Sequence, residues 1–270
     1  MTTLHAAVLG LVQGLTEFLP VSSSGHLILV PELLGWDIQS ATFDAVLHLA
    51  TLGAILVAFK EEVWRLFSAV LKDPQGRGTE TGKWSRLAWT ILVATIPAVA
   101  AGFLFKDQIE TTLRSPMVVA VSLVFWAAVL WAIDRTVKPT AQQDVVRVGS
   151  QQGMFIGLAQ ALALIPGTSR SGITITAGLA TGLSRAAAAR FAFLLGIPSI
   201  AGAGALALMD LLGSSEPIEW FPLTVGFLTA FISGLFAIRF LLKMLKTASY
   251  RPFVYYRIAL AVVIFIVFIR

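Results

Sequence analysis

Residues 10–25 read GLVQGLTEFLPVSSSG, and residues 157–172 read GLAQALALIPGTSRSG. The two stretches share a pattern. An apolar run containing glycine and glutamine reaches a proline, then a serine-rich turn, then Ser-Gly. Gln13 falls on Gln160, and Ser24-Gly25 on Ser171-Gly172. Each stretch is the middle of a longer apolar segment, 4–34 and 153–183, interrupted by its own proline and turn. The halves on either side are about 12–16 residues long, whereas a bilayer-spanning helix needs about 20. Proline cannot continue a helix, and serine or threonine caps the start of the next one. Each segment is therefore expected to be a re-entrant hairpin. Irregular backbone at membrane depth is tolerated only where it is buried in protein or lines a wet cavity.

Working outward, six further apolar runs are long enough to cross a bilayer, at 41–59, 84–105, 116–135, 185–209, 221–243 and 252–269. Three follow each hairpin. The fold expected is an all-α polytopic membrane protein with six transmembrane helices, two re-entrant helical hairpins and an inverted-topology repeat, the copies covering 1–135 and 150–270. Three spans per copy is an odd number, which turns the second copy upside down relative to the first.

Composition agrees with a lipid-covered chain. Of the 270 residues 57% are hydrophobic and 13% charged, against about 25% charged in a soluble domain. Cysteine is absent, which excludes a disulfide framework and a thiolate metal site. The three histidines, His5, His26 and His48, are too scattered for a histidine-rich zinc site. The net charge of +5 does not call for nucleic acid, because the basic residues flank apolar runs. The first twenty residues lack a basic leader and a small-residue cleavage site, so no cleaved signal peptide is expected.

Charge also orients the chain. The segments 60–86, 135–150, 184–190 and 239–257 hold 16 of the 20 Lys and Arg, and with six spans and two hairpins all four fall on one side. Positive-inside places that side in the cytoplasm. Lys106, Arg114, Arg270 and the acidic loop with Asp210, Glu216 and Glu219 then lie outside. The first hairpin enters from outside and the second from the cytoplasm, so their tips meet near mid-membrane.

Polar groups at that depth are costly and commonly functional. Gln13 and Glu17, four apart, share a helix face, as do Ser23 and His26, and Arg170 and Thr174. Ser22, Ser23 and Ser24 open one half-helix; Thr168, Ser169, Arg170 and Ser171 open the other. Free N–H groups at two facing helix starts, with a guanidinium between them, suit a phosphate or diphosphate. A nearby carboxylate and hydroxyl make phosphoryl transfer feasible. Serine runs at helix starts are commonly simple caps, Glu17 or His26 alone could be satisfied buried groups, and Arg170 could lock the hairpins together. It is their convergence in two matched hairpins that favours chemistry. His5 sits near a terminus, and His48 is at most a polar lining residue.

The stretches QGLTEFLPVSSSGH from Gln13 and PGTSRSGIT from Pro166 resemble the two signature motifs of the bacterial undecaprenyl-diphosphatase family, and length and span pattern agree over essentially the whole chain. The resemblance implies a divalent-cation-dependent (Mg²⁺ or Ca²⁺) integral-membrane phosphatase of the inner membrane, its active site opening to the outer face. It would recycle the polyprenyl lipid carrier of cell-wall synthesis and confer bacitracin resistance. By motif, Gln13 and Glu17 take the paired metal or acid/base positions and Ser23 that of the proposed nucleophile, with Ser22 and Ser24 beside it. His26 matches the essential histidine. Ser169, Arg170, Ser171 and Thr174 fall in the phosphate-binding motif. Gln13 stands where a carboxylate is the common choice, and an amide oxygen is the weaker Mg²⁺ ligand. Direct attack by a metal-bound water is an alternative to attack by Ser23, and either Glu17 or His26 could be the base. Besides lipid substrate and bilayer, a homodimer is an assembly the sequence allows. Broken helices at mid-membrane are also a transporter signature, so a carrier or flippase of a polyprenyl phosphate lipid is the competing expectation.

Overall fold

The computed structural model describes residues 1–105, 108, 113, 115–138, 141, 144–213 and 219–268. Lys106, Arg114, Glu216 and Arg270 lie outside the described residues. Eleven helices are described: α1 (Thr3–Phe18), α2 (Ser23–Leu34), α3 (Ala41–Ala58), α4 (Lys60–Lys72), α5 (Glu80–Leu104), α6 (Pro116–Asp134), α7 (Ser150–Ala161), α8 (Arg170–Ala180), α9 (Arg185–Gly213), α10 (Trp220–Met244) and α11 (Arg251–Phe268). No strand occurs among the described residues. The all-α fold and the two broken segments, α1–α2 and α7–α8, are as expected.

Helices α5, α6, α9, α10 and α11 are long and apolar enough to cross a membrane, and α3 joins them when taken with α4. The pair bends by 82° at Phe59. The basic segment after α3 opens with an amphipathic helix, α4. Val63 and Leu66 of α4 pack on the core, while Trp64, Phe67 and Leu71 stay exposed along one stripe. A helix with that pattern, at a right angle to a span, suits the membrane interface.

Contacts between helices fix their directions. Gly10 and Gly14 of α1 lie against Gly226 and Ala230 of α10, and Phe43 and Ala54 of α3 against Gly226 and Gly234, so α1, α3 and α10 run parallel. Gly204 of α9 meets Leu49, whereas Arg190 bonds to Glu62 beyond the end of α3, so α9 runs the opposite way. Gln152 of α7 donates to Thr181 O, four residues before α9 begins, and Gly153 and Gly157 run alongside Thr90 and Ala94 of α5. The two hairpins thus enter from opposite ends of the bundle. Both first halves lie close on a neighbouring span: a Cβ on Gly14 would run into Ser233 Oγ and Ala230 O, and one on Gly157 into Ala94 O. Small residues let backbones approach this closely, and membrane helices associate through such packing.

At the basic end, the buried Asp134 ties three helix ends together. It accepts from Arg185 Nε at 2.6 Å and from Tyr250 N at 3.3 Å, and Tyr250 Oη donates to Arg185 O. Arg257 departs from expectation. Counted with the cytoplasmic basic residues, it is fully buried two turns into α11. Its guanidinium donates to Leu123 O, Pro20 O, Gly167 O and Thr168 O. Pro20 belongs to one hairpin turn and the other two hairpin carbonyls to the second, so one side chain clasps both tips. Burying a guanidinium this deeply requires that its N–H groups be met; three of the four acceptors are turn carbonyls, which no helix ladder uses, and the fourth is Leu123 O of α6.

Candidate active site

The two hairpin tips share a backbone conformation that serine rarely adopts. Ser22 has φ 73° and Ser169 φ 71°. These are matched positions, and each is the N-cap of its second half-helix: Ser22 Oγ accepts from Gly25 N and Ser169 Oγ from Gly172 N. A left-handed residue costs on the order of 1–2 kcal/mol unless it is glycine. Here the conformation swings the chain from one half-helix into the next while keeping the hydroxyl on the cap. The first four N–H groups of a helix have no intrahelical partner, and each cap takes up one.

Glu17, 6% exposed, is the hub of that space. Its Oε2 accepts from Ser23 Oγ at 2.8 Å and from Gln13 Nε2 at 3.1 Å, and its Oε1 accepts from Arg170 at 2.8 Å. Ser23 and Arg170, from opposite hairpins, therefore hold the two oxygens of one carboxylate. They occupy matched positions, each directly after its cap serine. A second bond joins the hairpins, from Ser171 Oγ to Leu19 O at 3.2 Å. Arg170 also donates to Ala192 O at 3.2 Å and lies flat on α9 at Gly196, where a Cβ would collide with the guanidinium.

Other expected residues are placed differently. His26 Nδ1–H donates to Ser22 O at 2.7 Å, and Nε2 accepts from Tyr256 Oη at 2.7 Å. Both ring nitrogens are occupied, so the structure brings Glu17 rather than His26 to the Ser23 hydroxyl. Thr174 Oγ1 donates back to Arg170 O and Ser171 O within its own helix. Ser22 with Ser24, and Ser169 with Ser171, pair their hydroxyls at 3.2 and 3.3 Å. Ser24 is exposed and Ser23 partly so. His48, expected only to line the site, faces Glu17 Oε2 through Nε2 at 3.6 Å. No sequence signal marks Tyr256 or Arg257 as neighbours of the tips. An arginine and a tyrosine inside an apolar run offer only the cost of burying them as a clue.

A divalent cation fits the residues present. Gln13 is fully buried, and its Oε1 has no hydrogen-bond partner among the described residues. That orphaned acceptor belongs to the amide touching Glu17 Oε2. Mg²⁺ is commonly held by one or two carboxylates and completed by substrate phosphates and water.

The model of the family described as bacitracin resistance protein BacA matches residues 6–263. The chain belongs to the BacA family. Among curated relatives of this BacA-family chain, an undecaprenyl-diphosphatase of Alteromonas mediterranea is 45% identical over 98% of both chains. One of Teredinibacter turnerae is 43% identical over 98% of this chain and 99% of its own. The protein named undecaprenyl-diphosphatase 2 of Stutzerimonas stutzeri is 45% identical over 99% of both.

Proposed function

We propose that this BacA-family protein hydrolyses undecaprenyl diphosphate to undecaprenyl phosphate and inorganic phosphate. Family membership carries the activity, and the shared Glu17 carboxylate carries the mechanism. Ser23 Oγ, already donating to Glu17 Oε2, gives its proton to that carboxylate and attacks the terminal phosphorus. The phosphoanhydride bond breaks and the polyprenyl phosphate leaves, taking the proton that Glu17 received from Ser23. Water then gives a proton to the freed Glu17 carboxylate and attacks the seryl phosphate; inorganic phosphate leaves and Ser23 Oγ takes that proton back. Arg170 uses two donors on Glu17 and Ala192, which leaves the rest of its fork for phosphate oxygens. The α2 and α8 starts add their free N–H groups. A Mg²⁺ or Ca²⁺ held by Glu17 and Gln13 would act as Lewis acid on the diphosphate oxygens. His26 and Ser22 are positioning residues, holding the strained turn that aims Ser23.

The same reading extends to architecture and place. Matched cap serines, opposite hairpin entry and parallel packing of α1 on α10 and α7 on α5 support an inverted duplication of 1–135 and 150–270. The protein sits in the bacterial inner membrane with the basic end in the cytoplasm and the site opening to the outer face. The test is phosphate release from undecaprenyl diphosphate by purified protein, with and without EDTA. Lipid translocation in proteoliposomes without phosphate release would replace the enzyme with a carrier.

A further inference from the structure

Glu17 Oε2 faces a second ring that the reaction above does not use. His48 stands on α3, outside both hairpins, with its side chain 36% exposed. Its Nδ1–H donates to Asp44 O at 2.7 Å. With its proton on Nδ1, a neutral ring presents the Nε2 lone pair to Glu17 Oε2, 3.6 Å away. Two lone-pair atoms face each other stably only with a positive charge between them, either a proton on Nε2 or a cation held by both atoms. A separation of 3.6 Å is within what two donors can span when each lies about 2.1 Å from one ion. Metal-binding histidines typically donate their other ring N–H to a carbonyl or carboxylate in this way. A second donor lies beside the same oxygen: Gln13 is fully buried, its Nε2 donates to Glu17 Oε2, and its Oε1 has no hydrogen-bond partner among the described residues. Arg170 occupies the other oxygen, so it does not compete. The remaining histidines are engaged: both nitrogens of His26 are bonded, and His5 stacks on Trp36 at 3.9 Å.

We propose that His48 Nε2 completes the cation site with Glu17 Oε2 and Gln13 Oε1. In this chain the site is then a mixed oxygen and nitrogen one, which favours a first-row transition ion such as Mn²⁺ over Ca²⁺, because imidazole is the softer donor. This rests on the reading that Glu17 and Gln13 hold a divalent ion.

The test uses full-length protein in detergent, freed of any histidine tag, loaded with less than one equivalent of Mn²⁺ and examined by pulsed EPR. Three histidines make the assignment decidable. Wild type is expected to show imidazole ¹⁴N modulation of the Mn²⁺ signal. His48→Gln should abolish it and weaken Mn²⁺ binding at least about threefold, with Ca²⁺ binding changed less than twofold. His26→Gln and His5→Gln should keep the modulation. Bound Mn²⁺ without ¹⁴N coupling in wild type, or coupling that survives His48→Gln, overturns the His48 assignment and leaves Glu17 and Gln13 standing. Absence of any Mn²⁺ or Ca²⁺ binding, with or without methylenediphosphonate, overturns the cation reading itself.

Discussion

Replacing Arg170 by lysine separates the planar fork from the charge. The guanidinium spans two acceptors, Glu17 Oε1 at 2.8 Å and Ala192 O at 3.2 Å, while resting on the α9 backbone at Gly196. An ammonium is a point donor and cannot hold both directions and a phosphate together. At least one charge-assisted hydrogen bond is lost, worth about 1.5–3 kcal/mol. If that loss falls on the transition state, kcat/KM drops roughly 10- to 150-fold. Arg170→Ala should do more harm, but for a mixed reason. Removing one partner of a buried pair strands Glu17 and costs on the order of 3–5 kcal/mol of stability. The lysine variant is therefore the informative one, assayed by phosphate release alongside thermal unfolding in the same detergent. Gly196→Ala supplies a cross-check, since the added methyl pushes the guanidinium off its seat without touching its charge. Arg170→Lys with kcat/KM within threefold of wild type and unchanged unfolding would refute the role given to the fork.

Other expectations are as direct. Gln13→Glu places a second carboxylate beside Glu17 and should tighten the apparent divalent-cation requirement; an unmoved metal titration would remove Gln13 from the ion. Gly14→Ala forces α1 off α10 at Ser233 and Ala230, an overpacking that costs about 1–3 kcal/mol, visible as a lowered Tm in detergent. At Ser169 both glycine and alanine lose the hydroxyl cap, but only alanine keeps the left-handed strain, so Ser169→Gly should be more stable than Ser169→Ala by about 1 kcal/mol. Cysteines can be placed freely because the chain has none. One at Gln75 should resist an impermeant maleimide added from outside, one at Asp37 should react, and the reverse pattern would invert the orientation.

The hairpins were legible because proline and a serine run inside an apolar segment leave few other conformations, and because the pattern occurs twice. Glu17, Ser23 and Arg170 were legible as costly groups at one depth, and the tips bring all three together. Four features were not. Helix α4 has too few apolar residues to register as a span, so 60–86 registers in the sequence only by its charge. Arg257 lies near the basic end of α11 in sequence, and only the turn carbonyls of both hairpins, distant in sequence, show why it turns inward. His26 and Ser23 do share a face by spacing, yet spacing cannot tell that the ring would be taken by Ser22 O and Tyr256 Oη. His48 was undervalued for a similar reason: its partner is 31 positions away, across a helix-helix contact that periodicity does not report.

The central claim is that hydrolysis happens where Ser23 and Arg170 share the Glu17 carboxylate. The most direct measurement is phosphate release from undecaprenyl diphosphate by wild type and Ser23→Ala side by side, with unfolding temperatures matched. Wild type should release one phosphate per lipid. Ser23→Ala should fall at least about 100-fold, the scale lost when a nucleophile or its proton transfer is removed. Activity in Ser23→Ala within threefold of wild type would contradict the claim.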